Sequence, residues 1–195
     1  MKLDNVADIS LGMVLSRIQA NPNIGGVAYP LFTIQELAYE LGQYNIVIEK
    51  QQIEVDEKKI DKKLIAKEGG VIIGLTSSNK AIVVDISHQD EIIPSNFAYI
   101  EVHKNLDPYY FTWFFNEHPS VRKQLTIAMQ GSSVRALSVQ MLRELEVILP
   151  PMDMQYKIGR IYELRRRKAK LSFEQKQLEE QLFNQIIIKH LKEDK

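Results

Sequence analysis

The chain has 195 residues, 45% of them hydrophobic, and its 25 basic and 25 acidic residues leave no net charge. This length allows one core plus an appendage, and the lack of cysteine excludes disulfides, thiolate metal sites and thiol nucleophiles. The four histidines lack ligand spacing, so no metal site is predicted. Without a signal segment or an apolar run long enough for a bilayer, the sequence predicts a cytoplasmic protein with no membrane partner.

Charge is distributed unevenly along the chain. From Lys157 onward there are 11 basic and 6 acidic residues, whereas the preceding part has 14 basic and 19 acidic residues. The larger part therefore lacks the basic excess that is typical of nucleic-acid binders.

The first hundred residues are predicted to be rich in β-structure. Residues 16–26 are polar and glycine-rich, which predicts an exposed loop that carries Arg17. A short helix is expected at 36–41. Strands are predicted at 27–35, 45–53, 71–74, 81–84 and 97–102, of which 71–74 and 81–84 form a hairpin.

Helical signals dominate the next stretch. Asp107 caps a helix that starts at Pro108, and its nearly continuous aromatic residues indicate core packing, not a base-stacking platform. A second helix runs from Pro119 to about Met129. A polar glycine loop and a short helical turn at 136–142 follow.

The end of the chain is predicted to be a strand followed by one long helix. Residues 145–149 alternate as in a strand, and Pro150 and Pro151 stop it. Asp153 is the predicted N-cap of a helix that continues to the terminus over about 55 Å. The sequence thus predicts an α+β fold, with a mixed, twisted sheet in residues 1–150, here called the head, and a coiled-coil helix in residues 151–195.

An apolar seam follows a heptad pattern along this helix, with polar residues at two of its a positions. The seam consists of Ile161, Leu164, Lys168, Leu171, Gln175, Leu178 and Leu182. A surface helix packed on its own head is the alternative. The narrow seam and the length of the helix favour a partner helix.

The sequence contains one segment that resembles a catalytic motif, but the motif is incomplete. Asp107-Pro108-Tyr109-Tyr110 is similar to the Asp/Asn-Pro-Pro-Tyr signature of amino-group DNA methyltransferases, but it has one proline, and helix capping explains the aspartate. No glycine-rich cofactor loop accompanies it. No catalytic residue is predicted.

Several loop residues could instead hydrogen-bond to DNA bases or phosphates through hydroxyls, amides and cations. These candidates are Arg17, Ser77, Ser78, Asn79, Lys80, Gly131, Ser132, Ser133 and Arg135. Ordinary solvent-facing turns remain the alternative interpretation.

The later half of the chain carries a recognisable pattern. It consists of Asp107 to Phe111, Gly131 with its polar loop, residues 137–142, Leu145 to Pro151 and Gln155 to Ile158. This order resembles the closing pattern of the specificity (S) subunit of type I restriction-modification enzymes. Residues 6–12 are similar to the opening of its target recognition domain. Residues 67–74 resemble the lysine-glycine-aspartate segment that leads into a strand in that family, with Gly70 in place of the usual aspartate.

The resemblance implies a noncatalytic half-subunit. A full S subunit carries two recognition domains and two long helices, whereas this sequence has one of each, so a homodimer is expected to present two heads to an interrupted double-stranded DNA site. Parallel and antiparallel pairing both stay open. The resemblance implies no cofactor here, since adenosylmethionine belongs to the modification (methyltransferase) subunit and ATP to the restriction subunit, where one is present.

Two other interpretations stay open. A coiled-coil scaffold would use the head as a protein-interaction module without DNA specificity. An inactive specificity variant would bind the methyltransferase without directing methylation.

Overall fold

The computed structural model describes residues 1–21, 25–76, 78–130 and 136–193. The first part of the head carries all of its strands with two short helices between them, three helices follow, and one long helix ends the described chain. The strands are β1 (Ala7–Leu11), β2 (Val27–Leu31), β3 (Gln51–Val55), β4 (Val71–Gly74), β5 (Ala81–Val83) and β6 (Phe97–Val102). The helices are α1 (Leu15–Ile18), α2 (Ile34–Glu40), α3 (Pro108–Glu117), α4 (Pro119–Ala128), α5 (Val139–Glu144) and α6 (Met152–Glu193).

The head is built on an antiparallel sheet of four strands in the order β1-β6-β4-β5, with β2 and β3 paired as a separate antiparallel ribbon. The predicted α+β fold is therefore confirmed, including the β4–β5 hairpin. The ladders between these strands are antiparallel, and parallel pairing occurs only as isolated bridges among the described residues, joining Met13 to Pro94 and Leu31 to Ile92.

Both faces of the four-stranded sheet are buried. Val71, Ile73 and Ile100 point to the face that α3 and its aromatic side chains cover, which confirms the core assignment of that helix. Ile72 and Tyr99 point to the opposite face, where they pack in a second cluster with residues of α2. The strict alternation along β4 explains why its sequence is apolar at every position.

Two details at the start of the long helix differ from the prediction. Residues 145–149 form no strand: a single antiparallel bridge joins Glu146 to Lys2, and the Val147 amide donates to the Met1 carbonyl. The alternating burial is present, but the partner is only the first residues of the chain, which are too few for a ladder. Asp153 is no N-cap, because the helix already begins at Met152 and places Asp153 in its first turn.

The structure also differs from the sequence-based prediction in two other segments. Residues 16–26 were predicted to be an exposed loop, yet α1 forms there and Ile18 and Ala20 are buried, because their backbone bonds to the edge of β3. The helical turn predicted at 136–142 is α5, which starts three residues later, where the Ser138 hydroxyl caps it by accepting from the Met141 amide.

The long helix is continuous over 42 residues, about 63 Å, as predicted. Its first part packs on α3 through Gln155, Gly159 and Tyr162. The boundary at residue 150 stays a prediction. None of the helices in the described ranges is both long enough and apolar enough to cross a membrane.

Candidate nucleic-acid interface

Two of the predicted contact loops lie at one end of the four-stranded sheet. Strand register places Leu11 opposite Ala98 and Gly74 opposite Phe97, so β1 and β4 both end there. The chain continues from β1 into α1, which exposes Arg17, and from β4 into the hairpin tip. These loops therefore share a single end of the head, although their strands are not neighbours.

The chain returns to the same end after α4. The Leu137 amide donates to the carbonyl of Leu75, the residue that follows β4, at 2.8 Å. Five of the predicted contact residues lie outside the described residues, and their contacts stay predictions. They are Ser77, Gly131, Ser132, Ser133 and Arg135.

The side chains of the hairpin tip, residues 78–80, differ in their exposure and contacts. Ser78 is exposed. Asn79 adopts a positive φ of 48°, which Asn tolerates better than most residues. The Lys80 ammonium donates to the Asn116 carbonyl at 2.6 Å, so its charge is engaged at the end of α3. A DNA contact by any of these side chains stays a prediction.

A cleft of about 590 Å³ lies at this end, between the hairpin tip and α4. Among the described residues that line it, Lys80, Arg122 and Lys123 are basic and Glu117 is acidic. Arg122 and Lys123 are exposed, and no described carboxylate lies within 4 Å of either cation. We call this feature the basic cleft. It is suited to hold a phosphate backbone.

Sequence reasoning missed Arg122 and Lys123. They lie on the outer face of an amphipathic helix whose buried face carries Val121 and Leu125, a pattern typical of any surface helix. No local pattern in the sequence distinguishes these two cations, because only the fold brings the hairpin tip beside α4.

A second cluster of charged groups is buried on the α2 side of the sheet. Ligand atoms of Glu36, His88 and Glu91 lie within 4.8 Å of one another, as in a metal site. However, the Lys50 ammonium contacts both carboxylates, at 2.7 Å from Glu36 and more closely at Glu91. Burial alone would lower the pKa of His88, but the carboxylates of Glu40 and Glu91 outweigh it and raise the pKa to about 9. Because the Lys50 ammonium bridges the two carboxylates and His88 contacts Glu91, the cluster forms an ion-pair network.

The predicted seam of α6 is exposed along its whole length. Ile161, Leu171 and Leu178 are 68%, 55% and 66% exposed. Leu164, Lys168, Gln175 and Leu182 are exposed as well.

The head packs against the opposite face of the same helix. At about 100° per residue, Gln155, Tyr162 and Arg166 lie roughly 180° around the helix from the seam. Gln155 and Tyr162 are buried. The first half of the helix therefore packs on its own head, as the alternative expected, but it does so through the face opposite the seam. A partner helix for the seam stays a prediction.

Comparison with known proteins shows which solved structures share this architecture. No family model matches the chain, and no curated protein matches it. One similar solved structure is a chain from work on complex assembly and conformational transition of the type I restriction-modification system, with a TM-score of 0.56 and 15% identity. The match covers 92% of this chain and 40% of that one.

Two further structures agree. The HsdS subunit from Thermoanaerobacter tengcongensis has a TM-score of 0.52 and 14% identity, covering 88% of this chain and 37% of its own. The type I restriction-modification S subunit from M. genitalium has a TM-score of 0.55 and 12% identity, with 90% and 40% covered. The chain has the fold of a type I S subunit. It spans about two fifths of the length of these S-subunit-like chains.

Proposed function

We propose that this chain is a noncatalytic DNA-recognition subunit of a type I restriction-modification system. Two copies would pair through the α6 seam and present two heads to an interrupted DNA site. Modification subunits, and a restriction subunit where one is present, would supply methyl transfer and cleavage, with adenosylmethionine and ATP bound on those partners. The protein would act in the cytoplasm, where the host DNA lies.

The observation that carries this proposal is the division of α6 into two faces, combined with the S-subunit fold. The head uses one face, and an exposed apolar seam occupies the other. A second copy of the helix matches such a narrow seam. Because dimers of this kind are two-fold symmetric, the two heads would read half-sites that repeat each other in inverted order.

The basic cleft is the proposed contact to the phosphate backbone. Arg122 and Lys123 would neutralise phosphates, while hairpin-tip and glycine-loop side chains would read base edges.

The decisive experiment is selection of DNA from a random library by the full chain together with its modification subunit. We expect enrichment of one bipartite sequence with inverted half-sites. Equal retention of all sequences would remove the proposal, and assembly without sequence preference would favour the scaffold interpretation.

The cleft is tested by the salt dependence of binding to the selected site. Arg122→Ala combined with Lys123→Ala should lower the slope of log K against log salt by about 2 for each head, or about 4 for the paired protein, with the half-site sequences unchanged. Lys104→Ala is the matched control, since Lys104 is an exposed cation that follows β6 at the other end of the sheet. An unchanged slope in the double variant contradicts the cleft assignment.

A further inference from the structure

The long helix touches the head at a second place, beyond its contact with α3. Glu40, the last residue of α2, faces α6 with its carboxylate. Its oxygens lie 3.6 Å from Arg166 Nη2 and 3.9 Å from Lys170 Nζ. Arg166 also donates to the Glu40 backbone carbonyl. One residue of the head therefore binds two successive turns of the helix.

Aromatic rings extend this second contact. The Lys170 ammonium lies 5.1 Å from the centre of the Tyr39 ring, and Tyr44 lies 5.5 Å from Phe173. Gly42, with a φ of 105°, ends α2 in a conformation that favours glycine and turns the chain toward Tyr44. We call the contacts of residues 39–44 with residues 166–173 the helix clamp.

The carboxylate at the centre of the clamp is held from behind by the buried network. His88 Nε2 lies 3.8 Å from the same Glu40 oxygen that faces Lys170, and His88 Nδ1 lies 3.0 Å from Glu91. Lys50 joins Glu91 to Glu36. The position of Glu40 is thus fixed by side chains of the core, which distinguishes it from an ordinary surface acid.

The charges around Glu40 keep it ionised. Burial would raise the pKa of Glu40, but His88, Lys170 and Arg166 together lower it below its ordinary value. The Glu40 side chain is only 20% exposed and that of Arg166 only 26%, so solvent screens this pair less than it screens a typical surface pair.

Two separate attachments determine the direction of a rod. The first lies at Gln155 and Gly159 on α3, and the second ends at Phe173, about 27 Å along the helix from Gln155. With only the first, α6 could tilt as a lever. A tilt of 5° over a helix of about 60 Å moves its far end by roughly 5 Å, the length of one to two base pairs.

We propose that Glu40 is a positioning residue that sets the spacing between the two DNA half-sites. By holding Arg166 and Lys170, it fixes the angle between head and helix, and in the paired protein this angle fixes the distance between the heads. The inference rests on the proposed function, but it concerns spacing alone and assigns Glu40 no contact with DNA.

The test uses the full chain with its modification subunit and a library in which the two selected half-sites are separated by spacers of every length. Glu40→Gln should broaden or shift the preferred spacer by one to two base pairs, with the half-site bases unchanged. Arg166→Gln combined with Lys170→Gln should reproduce this effect from the helix side. Glu40→Asp should restore part of the wild-type preference.

Glu180→Gln is the matched control, because Glu180 pairs with Lys176 within the helix, beyond the clamp. An equal loss of affinity for all spacers in Glu40→Gln would indicate a merely structural role and overturn the inference. A wild-type protein without any bipartite site would instead remove the proposed function, and with it the spacing role.

A measurement without DNA tests the clamp directly. The chain has no cysteine, so spin labels can be attached at Lys104→Cys on the head and Lys176→Cys on the helix. With labelled protein diluted by unlabelled protein, Glu40→Gln should widen the distance distribution between the labels. A distribution as narrow as that of the wild type would overturn the inference whatever the DNA result.

Discussion

Leu178→Glu should separate the paired protein into single chains. Leu178 is 66% exposed and lies on the α6 seam, beyond the part of the helix that the head covers. The substitution therefore removes an apolar contact with the partner without touching the core of the head. It also places a carboxylate in a surface from which pairing would exclude water.

The size of the effect follows from this exposure. Complete burial of a leucine side chain stabilises by about 1.5–3 kcal/mol, so burial of the exposed two thirds contributes about 1–2 kcal/mol. A symmetric dimer contains the substitution twice, which gives about 2–4 kcal/mol. At about 1.4 kcal/mol per tenfold change, the dissociation constant should rise by roughly 30- to 1,000-fold, before the cost of burying the charge is added.

Sedimentation across a range of protein concentrations measures this shift. Gln177→Glu is the matched control, because Gln177 is an exposed neighbour on the far side of the helix and receives the same charge. Circular dichroism should show the same helix content in both variants. A wild-type chain that stays monomeric at every concentration, or a Leu178→Glu variant that associates as the wild type does, would refute the pairing.

Substitutions at three further positions test the packing of the head and of α6 against it. His88→Gln should lower the free energy of unfolding by about 3 kcal/mol below pH 6.5, because the pKa of His88 is raised from 6.5 to about 9 in the folded state. The loss should shrink as the pH rises through about 9. Urea unfolding at several pH values measures it, and a difference between variant and wild type that does not change with pH contradicts the prediction. Gln155→Ala should lower the free energy of unfolding, measured with a chemical denaturant, by about 2–4 kcal/mol, because it leaves the Asp107 amide and the Asn105 carbonyl unpaired. Gln155→Glu should not recover the full stability, because a carboxylate cannot donate to the Asn105 carbonyl. Gly159→Ala should lower the melting temperature despite the better helix propensity of alanine, because its Cβ would lie 2.5 Å from Asp107 Oδ1; a higher melting temperature would show that the helices separate easily.

Elements with local signals were predictable from the sequence. Asp107 caps α3 by accepting from the Tyr110 amide, and Pro119 lies at the first position of α4. The β4–β5 hairpin follows from two short apolar runs on either side of a polar turn. In α6 the apolar seam appears directly in the sequence, because a repeat along a single helix needs no knowledge of the rest of the fold.

What escaped prediction depends on distant contacts. Residues 145–149 alternate like a strand, but their partner, Met1 to Leu3, lies at the other end of the chain. The ion-pair network joins Glu36, Lys50 and His88, each of which reads as a surface residue in isolation.

The candidate interface was predicted only in part. The loops that carry the candidate residues were predictable from local turn signals, but their common position at one end of the sheet was not. The contact of Lys80 with Asn116 was not predictable either, because the end of α3 meets the hairpin only in the folded chain. The cations of α4 became candidates for the same reason, once Arg122 and Lys123 were seen beside the hairpin tip.

The two faces of α6 are independent surfaces on one element. Changes in the head alter only the inner face, so a second chain with an unrelated head and the same outer face could still pair with this one. Such a mixed pair would recognise two unlike half-sites, and a small set of interchangeable chains would then generate many targets from few genes.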